Sequence, residues 1–208
     1  TACKTRNIPV IADAEILHQN EGQLTKVIIY DVFSPPVATR IYVYTALASY
    51  EAMRFAQTDK YPSITENARR FEKIPQPEKG KQYNFTLAAT QAFFTVAHKV
   101  VFSIDSFKRH ENKIYSMFKN KLDDSTYSRS LAFGKAVGDV ILQRAAIDNY
   151  PQTRGKPKFI GSTKPGKWRA TPPDYQDAVE YCWGTMQTLV VDTGSQFPPP
   201  PPDRKSVV

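Results

Sequence analysis

The 208-residue chain is 41% apolar and 12% aromatic, a composition that excludes wholesale disorder and allows one good core or a domain with extended appendages. Its 28 Lys and Arg against 20 Asp and Glu leave a formal charge of +8, enough to steer anions or acidic lipid toward a surface. No segment joins a basic stripe to interleaved stacking aromatics, which argues against nucleic acid as a partner, and no apolar run approaches the ~20 residues that span a bilayer.

Residues 1–20 are mixed and polar and read as an N-terminal arm or tether. They begin Thr1-Ala2-Cys3, which fits the end of a bacterial lipoprotein signal: small residues, then the Cys that receives the lipid. Lipidation at Cys3 stands beside an incidental cysteine as the two readings. The first reading makes the protein exported, as a periplasmic or outer-membrane lipoprotein that meets a membrane through acyl chains alone. A domain over 21–192 follows. Leu24, Val27, Ile28, Ile29, Val32 and Phe33 predict a buried helix, with strand as the rival because so many are β-branched. Ser34-Pro35-Pro36 reads as a stop and an immediate restart, since Ser caps helices and Pro suits their first turn.

The restarted segment places Val37, Ile41, Tyr44, Ala48, Ala52 and Phe55 on one helix face. Pro62 and the Pro75/Pro77 pair bound a looser stretch, with a short helix expected at Ala68-Arg69-Arg70-Phe71. A third helix is expected over about 82–102, and Ser103 as the cap of a fourth over about 105–122. Asp124-Ser125 opens a fifth helix reaching about Asp148, in which Gly134 and Gly138 lie one turn apart and permit close approach of another helix. Residues 150–173 lack a helical period and carry cations at 154, 156, 158, 164, 167 and 169. A last short helix is expected over 174–184. Residues 193–208 read as a linker, because the five prolines at 198–202 form a stiff polyproline II spacer that implies more polypeptide beyond it. The fold class is therefore all-α: a bundle of about five main helices, a Pro/Gly-rich basic loop and an extended C-terminal polyproline segment.

Chemistry is sparse. His18, His98 and His110 form no metal-ligand spacing, so no metal site is expected; His98 reads as a satisfied core histidine and His110 as surface. No G-x-S-x-G elbow or phosphate-binding glycine loop occurs. Cys182 beside Trp183 reads as a small buried hydrophobe. Asp31 interrupts an apolar run and needs a partner if buried, for which Arg40 on the next helix is the candidate. The loop 154–169 has six cations and no acid; it reads as a solvated loop or as a contact for an oxyanion.

Several segments in order resemble a known family. Asp31-Val32-Phe33-Ser34-Pro35-Pro36-Val37-Ala38-Thr39-Arg40, with Tyr42 and Tyr50-Glu51-Ala52, resembles the opening of bacterial vanadium-dependent haloperoxidase-like proteins of the type 2 phosphatidic acid phosphatase superfamily. Gly134-Lys135-Ala136-Val137-Gly138 with Ile141-Leu142 and Asp148 is similar to a later helix of these proteins. Gly166-Lys167-Trp168, Thr171-Pro172-Pro173, Trp183-Gly184 and Gln196-Phe197-Pro198-Pro199 resemble the close of their first half, with Tyr181-Cys182 as a departure. The resemblance implies two consecutive helical bundles and a pocket for vanadate or phosphate, serving peroxide-dependent halide oxidation or phosphate ester hydrolysis. The family grips its anion with Lys-x6-Arg-Pro, Pro-Ser-Gly-His and Ser-Arg-x5-His-x3-Asp. This chain has no Arg-Pro and no Ser-Gly-His, and no His follows Ser128-Arg129 in that spacing, so no catalytic, cofactor-binding or metal residue carries over.

The expectation is thus an N-terminal, non-catalytic helical domain that supports a catalytic bundle beyond Pro202, with vanadate as the cofactor of the full-length protein and none in this chain. Lys158, Lys164, Trp168 and Arg169 are the candidates for walling the anion pocket. Expected partners are the C-terminal domain, with a homodimer as a further option, and a membrane through a lipid anchor only. The alternative is a lipid-anchored helical binding or scaffold protein without enzymatic activity.

Overall fold

A computed structural model describes residues 13–200, which are all helical or irregular, with no strand among them. The main helices are α1 (Asp13–Tyr30), α2 (Pro35–Met53), α3 (Phe85–Val100), α4 (Lys108–Lys119) and α5 (Asp124–Ala146); a single turn, α6 (Tyr150–Thr153), follows. The five long helices match the sequence expectation in number and order. Cys3 and the polar residues before 13 lie outside the described residues, and Pro198–Pro200 of the proline run are exposed chain without helix or strand.

α3 is the axis of the bundle. Ten of its 16 residues are buried, and it packs most extensively on α5 and α2. Gly134 and Gly138 explain the closeness of α5: a Cβ at 134 would overlap the carbonyl of Ala88, and one at 138 would lie 2.7 Å from Thr95 Cβ. The main core joins Tyr44, Ala48, Ala52, Ala88, Ala92, Val96, Val137 and Ile141, where alanines let three backbones converge. A second cluster, around Leu24, Ile41, Phe93, Phe94 and Phe107, seats α1 against α3.

Local signals set the boundaries. Asn84 caps α3 by accepting from Leu87 N at 2.8 Å, and Asp123 caps α5 by accepting from Thr126 N at 2.9 Å. The Asp123 carboxyl is held well below the usual carboxylate range, first by the Ser125 hydroxyl and then by the Thr126 amide. Helix rather than strand prevails at 24–33, because Leu24, Val27 and Ile28 share one buried face. α1 ends in a Schellman turn, with Phe33 N bonded to Ile28 O and Val32 N to Ile29 O. Val32 occupies its left-handed position at φ 55°.

Four expectations are corrected. The arm does not extend to residue 20: helix begins at Asp13, because Ile16 and Asn20 are buried on the α1 face that continues to Leu24. The short helix at 68–71 is absent; a 3-10 turn at Thr65–Asn67 precedes it, and Arg70 is left-handed. Ser103 caps no α-helix, since its hydroxyl is committed to Asp31 and a 3-10 turn at Ile104–Phe107 intervenes before α4. The helix at 174–184 does not form: Tyr175 and Glu180 have positive φ, leaving only a 3-10 turn at Trp183–Thr185. From 154 to 200 no residue is fully buried, so this stretch has no apolar face to stabilise regular structure.

Candidate functional site

The most elaborate polar cluster lies where α2, the end of α5 and the tail at 183–189 meet. Asp148, 1% exposed, accepts from Arg40 Nε at 2.6 Å, Tyr44 OH at 3.0 Å and Tyr150 N at 2.9 Å. Arg40 also donates to Ala145 O and lies between the rings of Tyr44 and Tyr150. Burial, followed by the charge of Asp148, raises the Tyr44 hydroxyl well above the ordinary tyrosine range, so it stays a neutral donor. Arg144, equally buried, completes the node: it bonds Tyr44 OH and the carbonyls of Arg69, Gln187 and Thr188. An open cleft of about 340 Å³ lies over the node, lined by Val43, Trp183, Met186 and Leu189.

A second buried carboxylate is equally saturated. Glu51, with no exposed surface, accepts from Arg54 Nε at 2.7 Å, from the Ser63 hydroxyl and from the amides of Ile64 and Thr65. It ties the loop after α2 to the bundle. Both sites satisfy every polar atom they bury, which makes them anchors.

Two of the three histidines are likewise engaged, while His18 is exposed on α1. His98 Nε2 meets Glu111 Oε1 between α3 and α4, so the expected satisfied histidine is found, although it is only partly buried. His110 is half-buried rather than fully solvated. Its Nε2 lies 2.8 Å from Oδ1 of the buried Asn20, and burial, then Lys113, lowers its pKa. Among the described residues no cluster of His, Cys, Asp and Glu could hold a metal ion.

The fold that carries these residues has a solved counterpart. A bacterial vanadium-dependent iodoperoxidase superposes with a TM-score of 0.83 at 35% identity, over 96% of this chain and 48% of the other. The chain is a vanadium haloperoxidase-like helical domain. It spans about half the length of the solved protein that it matches. No family model matches the sequence, and no curated protein does.

Within the haloperoxidase-like domain, several of the residues that carry the sequence resemblance are the anchors just described. Arg40, Glu51 and Asp148 form the buried nodes, Gly134 and Gly138 the helix seam, and Trp183 a wall of the cleft. The expected Asp31–Arg40 pair is not formed. Arg40 is drawn to Asp148 and Tyr44, while Asp31 accepts from Phe102 N, Ser103 N and Ser103 Oγ, bracing one loop with another. Cys182 is only half-buried, because the irregular segment around it lies on the surface.

The four candidate wall residues divide. Trp168 and Arg169 line one open cleft of about 500 Å³, together with Asp174 and Asp177. Lys158 is exposed and pairs with Asp177 at 2.7 Å. Lys164 is exposed in the turn leading to Lys167 and is not among the residues lining that cleft. Arg154, another loop cation, pairs with Glu180 and holds that carboxyl below its usual range. Sequence reasoning missed the role of Arg144. Its signal was a charge on the stripe that runs through Val137, Val140 and Ile141.

Proposed function

We propose that this chain is the non-catalytic helical half of an exported haloperoxidase-like protein, and that it supports a second bundle which holds vanadate or phosphate. The observation that carries this reading is the match itself: 96% of this chain against 48% of a vanadium iodoperoxidase, at 35% identity. The chemistry of the described residues agrees. A vanadate cradle needs several cations free to converge on an oxyanion and a histidine free to bond its central atom. Here Arg40, Arg54, Arg144 and Arg154 are spent on carboxylates and carbonyls, His98 and His110 face Glu111 and Asn20, and His18 stands exposed on α1, apart in sequence from these engaged cations. These residues do not fit the group, and no step of the reaction is assigned to them.

The domain's part is mechanical. The Arg40–Asp148–Tyr44–Arg144 node fixes the tail at 187–189, and the irregular stretch that precedes it presents Trp168 and Arg169 on an exposed surface where they wall the anion pocket of the second half. Attachment through a lipidated Cys3 belongs to the same proposal, and metabolic labelling with a fatty acid tests it. The deciding experiment for the function uses the whole natural gene product. Vanadate-dependent oxidation of iodide or bromide by hydrogen peroxide supports the haloperoxidase reading, phosphomonoester hydrolysis supports the phosphatase reading, and neither activity in a folded product refutes both.

A further inference from the structure

Two loop tips meet at the end of the bundle opposite the loop that follows α2. One is the Schellman turn closing α1, which exposes Ile29, Tyr30 and Val32; the other joins α3 to the 3-10 turn and exposes Phe102 and Ile104. They are held in fixed register by the three bonds to Asp31 and by the Phe33–Phe102 ring contact, centroids 4.8 Å apart. Val32 is the telling residue. A left-handed helix terminus is normally a glycine position, and a β-branched residue there is strained. Yet this valine is 85% exposed and gains almost nothing from its own domain.

The apolar shoulder runs on into a groove of about 360 Å³ between the C-terminal ends of α3 and α5, walled by Phe33, Val100, Leu142 and Tyr150. Lys99 lines the groove, and Lys26 lies one helical turn before Tyr30. Among the described residues neither lysine has an ion-pair partner. Arg40 walls both this groove and the cleft beneath the tail, so the surface is continuous with the anchoring node.

We infer that this shoulder and groove are the seat of the second helical bundle, which inserts apolar side chains between α3 and α5 and brings carboxylates to Lys26 and Lys99. The inference rests on the function proposed above. Three features select this occupant. The matched solved protein has about as much chain again outside the aligned half. The surface pairs a knob with a concave groove, the relief of a protein interface rather than of a flat lipid surface. A second copy of this chain would bring the same unpaired lysines into a two-fold contact, adding uncompensated charge.

Hydroxyl-radical footprinting of the whole gene product, set beside the 208-residue chain, tests this. Tyr30 and Phe102 should lose labelling about fivefold or more in the whole product, as side chains entering an interface core do. Tyr61 serves as control: it lies beyond the far end of α2, a helix of 19 residues or roughly 28 Å, and its labelling should not change. Equal labelling of Tyr30 and Phe102 in a whole product that binds vanadate overturns the docking face and leaves the proposed function standing. A whole product with neither a second bundle nor vanadate binding overturns both. Protection that grows with concentration of the 208-residue chain, or that requires anionic phospholipid vesicles, assigns the surface to a second copy or to a membrane and overturns the inference.

Discussion

Substituting Gly134 by alanine tests the helix seam that organises the bundle. A Cβ there lies 2.9 Å from both the carbonyl carbon and Cα of Ala88 and overlaps the carbonyl oxygen. These are backbone atoms, so no rotamer change relieves the contact. The oxygen is the nearest atom, so restoring an ordinary separation of about 3.4 Å requires α3 and α5 to part by roughly 1.2 Å, which forfeits half or more of the dispersion along the seam. Alanine recovers about 1 kcal/mol of helix propensity, while overpacking costs about 3 kcal/mol, so the net loss is about 2 kcal/mol. Gly22→Ala is the control, because its Cβ meets nothing within 4 Å on α1 and should stabilise by about 0.8 kcal/mol. Urea denaturation followed by far-ultraviolet circular dichroism reads both. A Gly134→Ala protein as stable as the unsubstituted chain would refute the close approach of α3 and α5.

Further outcomes follow from the same structure. Asp148→Asn should destabilise by about 3 kcal/mol in the same assay, because it leaves the Arg40 guanidinium, 9% exposed, without its carboxylate; a loss under about 0.5 kcal/mol would show the pair to be dispensable. Val32→Gly should stabilise the 208-residue chain by about 1 kcal/mol by relieving the left-handed valine, and no gain would mean that the turn is not strained. Arg144→Leu should free the tail, seen as faster hydrogen exchange at the Arg69 and Gln187 amides, which bond Leu189 O and Asp148 O; unchanged exchange at both would deny Arg144 its clamp. His110 has a lowered pKa, so the unfolded chain takes up its proton first as pH falls. Its contribution is intact above about pH 6.5 and is lost below that. His110→Gln should therefore flatten the decline in stability between pH 7.5 and 5.5, and an unaltered slope would contradict the burial.

The five long helices were legible because their signals are local. Apolar periodicity, Asn84, Asp123 and the Ser34-Pro35-Pro36 restart each act within one or two turns. The glycine pair at 134 and 138 was read for its packing role, and the structure shows it against Ala88 and Thr95. What failed is what depends on partners distant in sequence. Proximity in the chain points Asp31 to Arg40. The nearest free donors in space are instead at Phe102 and Ser103, 71 and 72 residues away. Arg40 found Asp148, 108 residues away. The charged neighbours of His110 point to a surface residue, although its ring turns inward to Asn20. The tail misled most. Residues 174–184 carry enough apolar side chains for a helix, but the bundle offers them no face to bury against, and the chain stays irregular. Family resemblance located the half of the architecture but not the partners of Arg40, Glu51 and Asp148, which the structure supplies.

The central claim is that the chemistry resides outside this half. Titrating the 208-residue chain with orthovanadate, followed by vanadium-51 nuclear magnetic resonance, measures this directly. The account predicts a free-vanadate signal unchanged in position and width at equimolar protein, since the buried Arg40, Arg54 and Arg144 and the two part-buried histidines, His98 and His110, are already engaged. A stoichiometric bound signal that disappears in Arg169→Ala or His98→Ala would place the anion site within these residues and contradict the account.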